Sequence, residues 1–122
     1  MNEKEIYNNI EITLKRKKEI AVISVIETWG SSPRPVGSTM VVSEDHKVFG
    51  SVSGGCIESF VYSKALEVIK NNKVITLEFG VTNKQAWEVG LTCGGKIKVF
   101  IEKLSQHNLN YVKRINDTIA SN

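Results

Sequence analysis

Cysteine and proline are scarce in this chain, with two of each among 122 residues. Cys56 and Cys93 stand 37 positions apart (93 minus 56), too few and too separated for a disulfide framework. The expectation is therefore a cytoplasmic protein with reduced thiols. No two of Cys56, Cys93, His46 and His107 have zinc-finger spacing, which argues against a structural zinc. Aromatic residues make up only 7% of the chain. No apolar run approaches the roughly 20 residues that span a bilayer. Met1-Asn2-Glu3-Lys4 has no signal-peptide pattern. Neither sign of charge dominates, with 16 basic and 13 acidic residues and a net charge of +3. The one basic run, Lys15-Arg16-Lys17-Lys18, has no aromatic residues interleaved and reads as a solvated helix end. Membrane and nucleic acid are thus not expected as partners.

What the chain does have is enough apolar material for one core, 41% of its residues. Ile6, Ile10 and Leu14 recur at helical spacing within Glu3 to Lys18 and predict an amphipathic helix lying on a sheet. Glu19 to Thr28 is apolar and β-branched, as in a central strand covered on both faces. Ser38 to Ser43 and Lys47 to Val52 predict a hairpin around Glu44-Asp45-His46. Ile57, Phe60, Val61, Ala65, Val68 and Ile69 mark one face of a helix ending near Asn71-Asn72. A strand follows over Lys73 to Phe79. Lys96 to Glu102 alternates and reads as a half-exposed edge or outer strand, and Leu109, Val112, Ile115 and Ile119 predict a last helix. The expected class is α/β or α+β: one domain, a mixed β-sheet with a hairpin and packed helices.

Three glycine-marked segments interrupt this pattern: Gly30-Ser31-Ser32-Pro33-Arg34-Pro35-Val36-Gly37, Ser53-Gly54-Gly55-Cys56-Ile57-Glu58, and Gly90-Leu91-Thr92-Cys93-Gly94-Gly95. A strand that runs through Gly54-Gly55 into a helix offers bare N–H groups and the positive end of the helix dipole, a setting for a phosphate or other anion. Cys56 would sit on that helix's first turn, where a thiolate is stabilised and can serve as nucleophile, metal ligand or sulfur carrier. It can equally be a small buried hydrophobe beside a tight corner. Arg34, held between two prolines, is suited to clamp a phosphate, or to an ordinary exposed turn. Ser31 and Ser32 offer hydroxyls to an anion. Glu58 complements the helix dipole. Trp29 and Trp87 flank two of the turns and can stack on a planar ring or simply pack.

In order and spacing the three segments, with Ala21 to Met40 around the first and Gly50 to Glu58 around the second, resemble the N-terminal domain of the XdhC/CoxI family over about residues 5 to 103. These are maturation factors of xanthine dehydrogenase and related molybdenum hydroxylases. The resemblance implies a binding and delivery protein rather than an enzyme. Its cargo would be the molybdenum cofactor, a molybdopterin bearing a dithiolene and a phosphate, passed to an apo-hydroxylase, with a sulfurtransferase as a further partner. The implied cofactor-binding residues are Ser31, Ser32, Arg34, Gly54, Gly55, Cys56, Glu58, Cys93, Gly94 and Gly95, with Cys56 and Cys93 meeting the cofactor's molybdenum. A homodimer is expected from the resemblance and from the outer strand. Longer family members carry a second, Rossmann-like domain. No Gly-x-Gly-x-x-Gly is present here, so the expectation is a single domain over residues 1 to 122 without it. Two other classes stay open at this point: a small thiol enzyme or sulfur carrier using Cys56, and a docking module that touches no cofactor.

Overall fold

A computed structural model describes residues 2–29, 37–52, 58–79 and 96–121. Helix α1 spans Glu3–Lys15, capped by the Asn2 side chain, whose oxygen accepts from the Glu5 N–H at 2.8 Å. Strand β1 follows over Ile20–Trp29, β2 over Thr39–Ser43 and β3 over Val48–Gly50. Helix α2 covers Glu58–Asn71, β4 Ile75–Phe79 and β5 Lys96–Leu104. A 3-10 turn at Gln106–Asn108 leads into helix α3, Leu109–Ser121. Lys17, His46 and Asn72 take positive φ at the turns after α1, between β2 and β3, and after α2. At Asn72 this is the left-handed stop common at helix C-termini. No described helix is long and apolar enough to cross a membrane.

The strands form one sheet in the order β3-β2-β1-β5-β4, and every pairing is antiparallel. The architecture is therefore of the α+β kind, and the mixed sheet expected from the sequence is antiparallel throughout its described pairings. The reason lies in α2. It carries the chain from β3 at one edge to β4 at the other, so two strands that run in the same direction never become neighbours. The order also corrects the reading of β5 as an edge or outer strand, because it lies between β1 and β4. Alternation along a strand reports which face is covered and says nothing of its lateral neighbours. The expectation of a homodimer thus loses the part of its basis that rested on that strand.

Both faces of the sheet are covered, as the unbroken apolar run of β1 requires. Ala21, Ile23 and Val25 point to the α2 side and pack with Val61, Ala65, Val68, Val99 and Ile101. Ile20 and Val22 point the other way, to Ile6, Ile10 and Leu14 of α1 and Val112 of α3. Each fully buried side chain of this size contributes about 1.5–3 kcal/mol over its exposed state.

Asn116 of α3 joins the two helices of the second face. Its side-chain N–H groups donate to the Tyr7 carbonyl at 3.1 Å and to the Glu11 carboxylate at 2.9 Å. Glu11 also pairs with Lys15 at 2.9 Å. The Lys15 and Asn116 hydrogen bonds hold the Glu11 carboxyl below the usual glutamate range. A carboxylate favoured in the folded state stabilises fully above its unfolded pKa, and that stabilisation fades as pH falls through the lower, folded pKa. Glu11→Gln is expected to cost only a few tenths of a kcal/mol at neutral pH, because Lys15 is exposed, the Glu11 carboxylate is only partly buried, and glutamine keeps an acceptor for Asn116. It should also remove part of the decline in melting temperature below the ordinary glutamate range, which thermal melts in acidic buffers would read.

Candidate functional site

The directions of the strands place the ends of all three glycine-marked segments on one side of the sheet. β1 runs toward this rim and β2 away from it, so the segment 30–36 leaves and returns there. β3 runs toward it and ends before 53–57. β4 runs toward it and β5 starts from it, so 80–95 also leaves and returns there. The rim is stepped. β1 and β5 pair out to Trp29 and Lys96, while among the described residues β2 and its lead-in bond to β1 no further than the level of Ser24 and Val25. Pairing of β1 with β5 skips Ile26, a bulge that re-aims the end of β1. Ile26 is left 39% exposed, unusual for a large apolar residue in a central strand.

On the low side of the step the chain bends at Gly50, where φ is +78°. The Ser51 N–H donates to the Thr39 carbonyl at 3.0 Å, so the turn out of β3 is stitched to the start of β2. Val52, fully buried, anchors the chain just before 53–57. On the far side of that segment Glu58, the first residue of α2, accepts from the Val52 N–H at 3.3 Å. The carboxylate thereby ties together the two residues that flank 53–57. Two residues along α2, Phe60 stacks edge-to-face on the buried Phe79 at the end of β4, with ring centres 5.6 Å apart. The Lys64 ammonium lies 5.6 Å from the Phe60 ring centre. The start of α2 is so tied to both β3 and β4.

Glu58→Ala is expected to lower stability by about 1 kcal/mol, since a 3.3 Å bond is at the long end of the range. Glu58→Gln, which keeps an acceptor, should recover most of this in urea denaturation.

Of the residues expected to bind cofactor, only Glu58 falls among the described residues, and its described contact is the Val52 clamp. Ser31, Ser32 and Arg34 lie in 30–36, Gly54, Gly55 and Cys56 in 53–57, and Cys93, Gly94 and Gly95 in 80–95; all are outside the described residues. Trp87 is outside them too. The sequence reading missed Gly50, although glycine inside a strand is a recognised signal of close backbone approach. It also missed the contact between His46 Nδ1 and the Tyr62 hydroxyl, 2.6 Å, which fastens the hairpin turn to α2. Nothing in the local sequence pairs those two positions.

The fold is a three-layer domain, and the flanks of three glycine-marked segments share one rim of its sheet. The chain matches the XdhC and CoxI family over residues 13–80, more than half its length, and it belongs to that family. It is 33% identical over 87 residues to the molybdenum cofactor insertion chaperone PaoD of Escherichia coli, covering 71% of this chain and 27% of that protein. It is 24% identical over 114 residues to a probable xanthine dehydrogenase subunit of Bacillus subtilis, covering 92% and 34%. Among solved structures, a xanthine dehydrogenase from Bacillus halodurans superimposes with a TM-score of 0.84 at 26% identity, over 99% of this chain and 36% of the other. The chain thus spans about a quarter to a third of the length of the Escherichia coli and Bacillus subtilis relatives.

Proposed function

We propose that this domain binds the molybdenum cofactor as cargo and hands it to an apo-hydroxylase of the xanthine dehydrogenase type during maturation, without itself catalysing a reaction. The observation that carries the reading is the common rim, which brings the flanks of all three glycine-marked segments to one side of the sheet. The similarity to an insertion chaperone supports the class of cargo. In this reading Gly54, Gly55 and the start of α2 receive the pterin phosphate, where N–H groups and the helix dipole favour an anion. Arg34 adds a bidentate donor, with Ser31 and Ser32 beside it. Cys56 and Cys93, flanked by Gly94 and Gly95, offer soft sulfur toward the molybdenum end. Glu58 supports the site by holding the base of the 53–57 segment.

The test is anaerobic purification from a cell that makes the cofactor, followed by fluorescence of the oxidised pterin and molybdenum analysis. Stoichiometric pterin is expected. A protein that copurifies with none, and takes up none when titrated with released cofactor, would overturn the assignment.

A further inference from the structure

A recess lies toward the opposite end of the strands, between α1 and the edge strand β3. It encloses about 260 Å³. Its α1 wall is a stripe at helical spacing that includes Ile12, Thr13 and Arg16, and its other wall comes from Lys47 and Phe49 of the hairpin, with Lys18 at the end. Ile12 is 48% exposed and Phe49 half-buried, so the floor is apolar and open. Thr13 turns its hydroxyl back onto the Asn9 carbonyl at 2.7 Å and does not close the recess. Among the described residues none of Arg16, Lys18 and Lys47 is held in a salt bridge. One acid, Asp45, also lines the recess. It takes the Ser43 hydroxyl and feels the charges of Lys47 and Lys18, leaving the lining net basic.

Among the described residues the strand beside this recess is at the edge of the sheet, with β2 as its one neighbour. The Ser43 N–H donates to the Lys47 carbonyl and the Ser51 N–H to the Thr39 carbonyl. By antiparallel alternation Phe49 then pairs inward, and the backbone groups of Val48 and Gly50 face outward. We propose that an extended acidic segment of a partner protein adds to β3 as a further strand. It seats an apolar side chain on Ile12 and Phe49, and its carboxylates meet Arg16, Lys18 and Lys47. Main-chain pairing supplies affinity in such additions, and alternate side chains supply selectivity. A second copy of this chain is the poorer occupant, because joining two β3 edges would bring two net-basic linings together with no added acid to offset them.

The probe is a fluorescein-labelled peptide of alternating glutamate and valine, followed by anisotropy. Saturable, salt-sensitive binding is expected, with at least a fivefold loss in Arg16→Glu/Lys47→Glu and no loss in Lys64→Glu/Lys70→Glu on α2. The same peptide N-methylated at alternate residues cannot pair with a strand and should bind wild-type protein at least fivefold more weakly, a comparison that needs no protein variant. Absence of binding would overturn the proposal, as would equal binding of the N-methylated peptide or of a lysine–valine peptide. Capture by phosphatidylserine vesicles without peptide binding would also overturn it, in favour of a lipid-facing patch. So would self-association in sedimentation that disappears with the same charge reversals while the peptide remains unbound.

Discussion

Cys56→Ala and Arg34→Ala are each expected to weaken molybdopterin binding at least tenfold, equivalent to about 1.4 kcal/mol. The two changes remove different interactions. In the proposed site Arg34→Ala would delete a charge-assisted, bidentate donor to phosphate, the stronger class of hydrogen bond. In the proposed site Cys56→Ala would delete a soft sulfur donor toward the metal. They should therefore differ in their response to the cargo's metal. The arginine variant should lose affinity for the metal-free pterin as well, and the cysteine variant should lose mainly the advantage of the metal-loaded form. Titration of purified protein with each form separates the two. Unchanged affinity in both variants, with melting curves like the parent's, would remove these residues from the site.

Gly50→Ala is expected to cost about 1–3 kcal/mol of stability. At φ +78° an added Cβ would stand 2.2 Å from the Thr39 carbonyl oxygen and 3.2 Å from the Met40 Cα. Those atoms are backbone, held in the β1–β2–β3 ladder, and cannot swing aside as a flexible side chain would. Gly37 provides the comparison. Its φ is +94°, and nothing lies within 4 Å of an added Cβ. Gly37→Ala should cost only the conformational part, about 1 kcal/mol. Urea denaturation of both variants reads the difference, and equal losses would mean that the Thr39 contact does not matter. Since Gly50 directs the chain into the 53–57 segment, the variant should also bind cargo less well than its stability alone accounts for.

Much of this fold is legible in the sequence because its elements carry clean periodicities. Ile6, Ile10 and Leu14 announce α1, and the unbroken apolar run from Ile20 announces a strand with two covered faces, as found. β5 is misread because Lys98 and Glu102 suggest exposure. Lys98 in fact pairs across the sheet with Glu78 at 3.5 Å, on a strand flanked on both sides. Phe60, read as part of the buried helix face, is 36% exposed and only edges onto Phe79. The order of the three glycine-marked segments can be read directly. That their flanks share one rim cannot be read so, since it follows from strand direction and sheet order, which depend on pairings between residues far apart in sequence. The same holds for the Val52–Glu58 and His46–Tyr62 contacts.

The antiparallel packing of the first and last helices has a practical outcome for anyone attaching something to this protein. α1 leads into the start of β1 and α3 follows the end of β5, with Asn116 bonded to Tyr7 between them. Asn2 and Ser121 therefore emerge near each other, on the same side as the glycine-marked connections. In the proposed reading, anything attached next to Asn2 or Ser121 would stand on the side of the sheet where the cargo is bound. Tags should be cleaved before any titration, and a deliberately fused acceptor would begin its search within a short reach of the cargo.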